Sequence, residues 1–445
     1  MVREIENQRN PILPLDIHIP DGEAHIMPDG DLYIFGSLDQ RSDVFCSEEY
    51  RIVSTSDLKN WKIHDVALNG HDVTWFFDPN TPKYPGIDWE NPTPFIKKML
   101  SNQQNSADKQ KFESVQKEPL LFAPDAIYHE GKYYLYFCMS DDSEGVAVSN
   151  YPQGPYKVAK QLPIGGIDPA VFIDDDKQAY FYWGQLYSHV AKLNDDMISL
   201  DMSSIQDNIL TEQKHFFHEG TSIRKINGKY YLVYSSIAYG KPTSLSYAIG
   251  DNPTGPFKYG GVIINNEFCD PQSWNNHGSI ECINGQWYVF YHRSSRNSQQ
   301  HRRLCIEPIT INEDGTIDEV KMTSQGVGQP FTLCEKIYGY QACELHGKCY
   351  IDIDDVYGEA IKEISEGDEI YFRYLNFEND AHFVDIECSG SASFELYLDN
   401  RLIGDVELNN GEVMKQRLCL SSGYFELRLR TVKANHFVLR SITFR

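Results

Sequence analysis

Apolar and polar residues alternate in short runs along most of the chain. Gly, Pro, Asn and Asp bound these runs, which is the period-two pattern of half-buried strands. Five runs share an x-Tyr-apolar-x centre: LYIF at Tyr33, YYLY at Tyr134, AYFY at Tyr180, YYLV at Tyr231 and WYVF at Tyr288. From the second onward they recur roughly every 50 residues, the spacing of propeller blades. Two of them lead into matching outer segments, GVAVSNYPQGPYKV and LSYAIGDNPTGPFKYGG, with a Gly-Pro-aromatic turn at the same place. The first gap is longer. It holds an excursion from about Gly70 to Glu118 that contains the single helical candidate, PTPFIKKMLSNQQNSADKQKFESVQ, and the aromatics Trp75, Phe76, Phe77 and Trp89, read as loop anchors in preference to a pocket rim. From about Cys334 the strands change to CYIDI, DEIYFRYLNF, FELYLDN and YFELRLRTV, which predict a β-sandwich. The expected fold is all-β: a five-bladed β-propeller over residues 1–332, then a sandwich over 333–445.

Counting back from each tyrosine finds an ionisable residue near one repeated position. Asp21, Asp168 and Glu219 precede their tyrosines by twelve residues, His277 by eleven and Asp125 by nine. Any one carboxylate could simply satisfy backbone N–H groups at a turn. Equivalent positions at the innermost strands of a propeller converge on its axis, however, so the repeat predicts a funnel lined by all five. Like charges gathered at a dry site raise pKa values, which is useful to acid–base chemistry.

A chain of 445 residues exceeds one ordinary core and fits two domains. Its aromatic content of 13%, with 28 Tyr, suits both short strands and the stacking of rings on sugar faces. The formal net charge of −24 repels nucleic acid and anionic lipid, so the expected partner is a neutral or cationic small molecule or polymer. The charged start MVREIENQRN and the lack of a long apolar run give neither an export signal nor a membrane span, and the expected location is cytoplasmic. The ten cysteines show no CxxC spacing and read as reduced thiols. No nucleophile elbow, P-loop or dinucleotide fingerprint is present.

In order, NPILP, PDGEAHIMPDGDLYIFGSLD, LFAPDAIYHEGKYYLYF, GIDPAVFIDDDKQAYFYWG, FFHEGTSIRKINGKYYLVYSS and NNHGSIECINGQWYVFYHRSS resemble the blades of glycoside hydrolase family 43. The resemblance spans roughly residues 10 to 330 and implies an inverting glycosidase, with an exo-acting α-L-arabinofuranosidase as the preferred reading and a β-D-xylosidase as the first alternative. A propeller that binds sugar without catalysis is the alternative of a different class. The partner implied is an arabinose- or xylose-containing oligosaccharide. The resemblance assigns the general base to Asp21, the residue that orients and tunes the acid to Asp168, and the general acid to Glu219. It departs at Gly22, where the family has proline, so Glu23 is held as a substitute base. It further implies that His277 lies on the axis, often reaching a calcium through waters, that Arg303 closes the site against the sugar and Asp168, and that Asp125 contacts the sugar; strand alternation sends one of Arg302 and Arg303 outward. The segments FELYLDNRLIGDVEL and GYFELRLRTVKANHFVLRSITFR are similar to family 6 carbohydrate-binding modules, although a sandwich that merely buttresses the propeller would read the same way.

Overall fold

The computed structural model describes residues 2–84, 86, 97, 117–409 and 413–445. The helical candidate and Trp89 lie outside them, residue 97 apart. Five antiparallel sheets form the first part. Blade 1 contains β1 (Arg3–Glu6), β2 (Glu23–Ile26), β3 (Leu32–Phe35), β4 (Glu49–Thr55) and β5 (Asn60–Asn69), with β2 innermost and β1 added outside β5. Blade 2 has β6 (Asp125–His129), β7 (Lys132–Cys138), β8 (Ser143–Ser149) and β9 (Lys157–Gly165). Blade 3 has β10 (Ala170–Ile173), β11 (Ala179–Trp183), β12 (Tyr187–Leu193) and β13 (Leu200–Thr211). Blade 4 has β14 (Phe217–Ile226), β15 (Lys229–Ser236), β16 (Ser244–Gly250) and β17 (Phe257–Asn265). Blade 5 has β18 (Ser279–Ile283), β19 (Gln286–Ser295) and β20 (Ser298–Ile309).

The repeated tyrosines mark the second strand of each blade, where the sequence pattern suggests the innermost one. The reason is burial. A second strand is covered on both faces by neighbouring blades, so β11 is buried at all five positions and reads as a strong apolar run. The innermost strands share no such run, from AVFI in β10 to FHEGTSIRKI in β14. One apolar cluster fills each gap between blades: Phe35, Tyr50 and Phe137 between blades 1 and 2, Tyr136 and Phe181 between 2 and 3, Tyr182 and Tyr234 between 3 and 4, Tyr247 and Tyr291 between 4 and 5, and Phe290 with Ile34 between 5 and 1.

Blade 5 lacks a fourth strand, and the N-terminal NPILP segment takes its place. Ile12 N donates to Leu304 O (3.0 Å). The Asn10 amide accepts from Ile306 N (2.9 Å) and donates to Ile306 O, Glu307 Oε1 and Thr323 O (3.1, 2.9 and 3.0 Å). The excursion is pinned by Trp75, whose ring stacks on Phe137 at 6.0 Å while its indole N–H donates to Ser143 Oγ (3.4 Å). That is the anchoring role.

The C-terminal strands form one nine-stranded sheet curled over a core that includes Phe372, Phe394 and Leu429. Two long strands, Ala381–Leu398 and Gly423–Phe444, pair along most of their length and bend from one layer into the other through bulges near Cys388 and Ser391. The cysteines with described side chains form no disulfide, and no helix among the described residues is long and apolar enough to cross a membrane.

Candidate active site

Asp21 and Asp168 each sit just before an innermost strand, in the left-handed region at φ 59° and 58°. Asp tolerates that conformation better than most residues, and the matched angles present both carboxylates to the axis from equivalent places in blades 1 and 3. In blade 4 the left-handed residue is Gly220 instead, at φ 64°, within a bulge that releases Glu219 toward the axis. A Cβ at Gly220 would lie 2.6 Å from the His277 ring, so only glycine lets the bulge and the imidazole coexist. Gly22 is comparably confined. Its carbonyl accepts from Ser279 Oγ (2.8 Å), and a Cβ would come within 3.0 Å of Leu304 Cδ1 and 3.2 Å of Ile34 Cγ2.

These side chains meet around His277. Its Nδ1 lies 3.7 Å from Asp21 Oδ1 and 3.8 Å from Asp168 Oδ2. Asp21 accepts from Arg302 Nη1 (2.9 Å) and from Ser37 Oγ, with His292 Nδ1 3.4 Å away. Burial opposes its charge, yet the Arg302 guanidinium, His292 and His277 hold its carboxyl well below the usual range. Glu219 accepts from Gln185 Nε2 (2.7 Å) and Asn275 Nδ2 (3.1 Å), and His218 Nε2 lies 3.7 Å away. Burial pushes Glu219 up, but His218 and the two amide donors outweigh it and bring the carboxyl below its ordinary value. Asp168 has no comparable donors. Burial and the charges of Glu219 and Asp21 drive it well above the ordinary value, against a smaller opposing effect of Arg302. The charges of the pair repel, and in the free protein that repulsion adds to burial in raising Asp168, while the donors around Glu219 bring it down.

Three other expectations change. Glu23 faces away from Asp21, accepting from Ser222 Oγ (3.0 Å) and Arg224 Nη2 (2.8 Å). Asp125 is also removed from the carboxylates around His277. One oxygen bonds His25 Nε2 (2.7 Å) and accepts from Ala126 N (2.6 Å), and the other accepts from Val171 N (2.7 Å), so the carboxylate ties blades 1, 2 and 3 together. Glu23, His25 and Asp125 make a second tier farther along the inner strands. Arg303 is replaced by its neighbour: Arg302 enters the funnel, while Arg303 Nη2 donates to Glu359 of the C-terminal domain. Alternation does separate the pair, with Arg302 locked inward by Asp39, which accepts from its Nε and Nη2 (both 2.9 Å).

Sequence reasoning also passed over Asp39, His292, Gln185 and Asn275. A signal existed for one of them, since Asn275 lies two residues before His277, the spacing that returns extended chain to the same face. Calcium takes six to eight oxygen ligands. Among the described residues the group of three side chains able to share an ion is Glu23, His25 and Asp125, where Arg224 already supplies positive charge. His277 stands outside that group, so these side chains form no metal cage around it.

The profile of glycosyl hydrolases family 43 matches residues 98–317. A xylosidase/arabinosidase of Thermoclostridium stercorarium is 28% identical over 91% of this chain and 89% of its own length. A β-xylosidase of Xylanibacter ruminicola is 32% identical over 46% of this chain and 75% of its own. Among solved structures, a β-xylosidase/α-arabinofuranosidase from a compost microbial metagenome, in complex with xylotriose and calcium-free, superimposes with a TM-score of 0.55 at 28% identity, covering 72% of this chain and 98% of that one. An arabinoxylan arabinofuranohydrolase from Bacillus subtilis shares the fold of both domains, with a TM-score of 0.52 at 20% identity over 98% of this chain and 97% of that one.

Proposed function

Because the chain belongs to family 43 of the glycosyl hydrolases, inverting glycosidases, we propose that it is an exo-acting α-L-arabinofuranosidase that trims arabinose from short oligosaccharides. The observation that carries the reading is the gathering of Asp21, Asp168 and Glu219 around His277 in the buried axis of the propeller. Inversion needs one carboxylic acid at the leaving oxygen and one carboxylate holding water on the opposite face of the sugar. Asp21 takes the second role. Held ionised by Arg302, it accepts a proton from the water that attacks the anomeric carbon. Glu219 takes the first, and it shares a single proton with Asp168. A sugar that draws Gln185 and Asn275 away from Glu219 raises its proton affinity, so the shared proton passes to the leaving oxygen through Glu219. Arg302 and His277 orient the base and separate it from the acid pair.

The same triad serves a β-D-xyloside, and the names of the relatives favour that as the second reading. An axial calcium would reach His277 only through water, since the described side chains around it make no cage of their own. Cysteines without a disulfide among the described residues suit a reducing compartment, which supports action on imported oligosaccharides in the cytoplasm. A panel of p-nitrophenyl glycosides, with NMR of the first sugar released, tests the assignment. The arabinofuranosidase reading expects fastest turnover on the α-L-arabinofuranoside with the β anomer appearing first. Faster hydrolysis of the β-D-xyloside moves the assignment to the second reading, and a retained anomer sinks the mechanism.

A further inference from the structure

We propose that Glu359, in the C-terminal domain, is a positioning residue for the catalytic base of the propeller. It belongs to the strand Gly358–Lys362 and is 1% exposed. Its Oε2 accepts from Arg303 Nη2, and its Oε1 accepts from Arg296 Nε and Nη2 (3.1 and 3.0 Å). One carboxylate therefore holds two arginines of blade 5, one in the turn that joins β19 to β20 and one within β20 opposite Arg293.

Both arginines lead to the active site by short covalent and hydrogen-bonded routes. Arg303 shares a peptide bond with Arg302, whose guanidinium grips Asp21 and Asp39. Arg296 Nη2 also donates to Leu15 O (3.2 Å), in a turn closed by Ile17 N and Pro14 O on the segment that reaches Asp21 six residues later. On that same segment His18 O accepts from Asp39 N (2.9 Å), and the His18 ring meets His301 edge-on at 5.1 Å. Burial together with the charges of Arg303 and Arg296 pushes His18 down to about 2, so it packs as a neutral ring between the arginines and the Asp39 strand. Glu359 thus fixes the back of the wall whose front is the Asp21–Arg302 pair. The two domains are further joined there by Arg296 N donating to Ile351 O (2.8 Å).

A buried carboxylate between two guanidinium groups is a strong tie, and its removal leaves positive charge uncompensated. Displacement of a reacting group by about 1 Å can lower a rate by about 10²-fold. This inference rests on Asp21 being the base. The test uses Glu359→Gln, which keeps shape and removes charge, on an aryl pentoside turned over by the parent enzyme. A base out of place lowers kcat by about tenfold or more with KM changed less than about threefold. It also makes the variant respond to sodium azide: the anion attacks the anomeric carbon without needing a base, the C–N bond forms as the bond to the phenolate breaks, and a glycosyl azide of inverted configuration accumulates. The parent does not respond. Arg296→Gln, which loosens one arm at the partly exposed edge, gives the same pattern with a smaller loss, and stands in should Glu359→Gln fail to fold. Variants that lose thermal stability yet keep kcat and ignore azide would show that Glu359 only staples the domains, and the proposal would fall. If Asp21→Asn itself retains activity, the base assignment fails first and this inference with it.

Discussion

Asp21 and Glu219 are both buried carboxylates, yet their neighbours set opposite tasks for them. Asp21 faces cations and Glu219 faces amides. Replacing either by its amide, Asp21→Asn or Glu219→Gln, removes a general acid–base contribution of about 10² to 10⁴ or more in kcat while circular dichroism stays that of the parent. Glu23→Gln, two residues from Asp21, leaves kcat within about tenfold, because its partners are Ser222 and Arg224 on the second tier. A severe loss there with a mild one at Asp21 would exchange the two assignments. Asp168→Asn addresses the shared proton. With Asp168 present the like charge beside Glu219 favours a proton on the pair; without it Glu219, among its amide donors and His218, loses that proton at lower pH. The alkaline limb of kcat/KM therefore moves down, read on an aryl glycoside whose leaving group needs little acid help, and an unmoved limb would show that Asp168 does not carry the proton. The three carboxylates were legible in the sequence because their places before each blade repeat. Arg302 was not, since two adjacent arginines offer the same letter and only the position of Asp39 decides which one turns inward.

Strand β20 carries that decision. It delivers Arg302 to the axis and Arg303 to the neighbouring domain by simple alternation, so its register sets the geometry of the base. Arg302→Lys keeps the charge but cannot reach Asp21 and both oxygens of Asp39 together. Hydrogen bonds to charged groups contribute about 1.5–3 kcal/mol each, so kcat falls by at least about tenfold even though the site remains cationic. Equal rates for the two residues would mean that charge alone suffices. The blades themselves were readable from their tyrosines, but one strand out of place. The motif is strongest where a strand is covered on both sides, whereas the innermost strands share no common run. The missing strand of blade 5 could not be read from periodicity, as its substitute lies about three hundred residues away in NPILP. Asn10→Ala removes several buried hydrogen bonds, each contributing about 0.5–1.5 kcal/mol, and differential scanning calorimetry should find the propeller transition lower by about 5–10 °C. A change below about 1 °C would show that the apolar gap, not Asn10, closes the ring.

The molecule is a ring with a second domain braced against one side of it. Phe331, at the end of the propeller segment, is fully buried in the sandwich core, and Arg373 of the sandwich donates to Met322 O (3.0 Å) and accepts through its carbonyl from Ser324 N (2.7 Å). A chain ended at residue 332 would expose that surface and leave Arg303 and Arg296 without their counter-charge. Expressed alone, it should be aggregated by size-exclusion chromatography or, if recovered, slower by tenfold or more on the aryl substrate; a soluble and fully active propeller would refute the brace. The closure of blade 5 also bears on how the protein is made. Asn10 and Ile306 are 296 residues apart, so at about 5–20 residues per second the first blade waits roughly 15–60 s on the ribosome before its closing partner emerges. For that interval the growing chain is an open fan with bare strand edges at both ends, and the order of synthesis makes the N-terminal segment the last piece to lock although it is the first to appear.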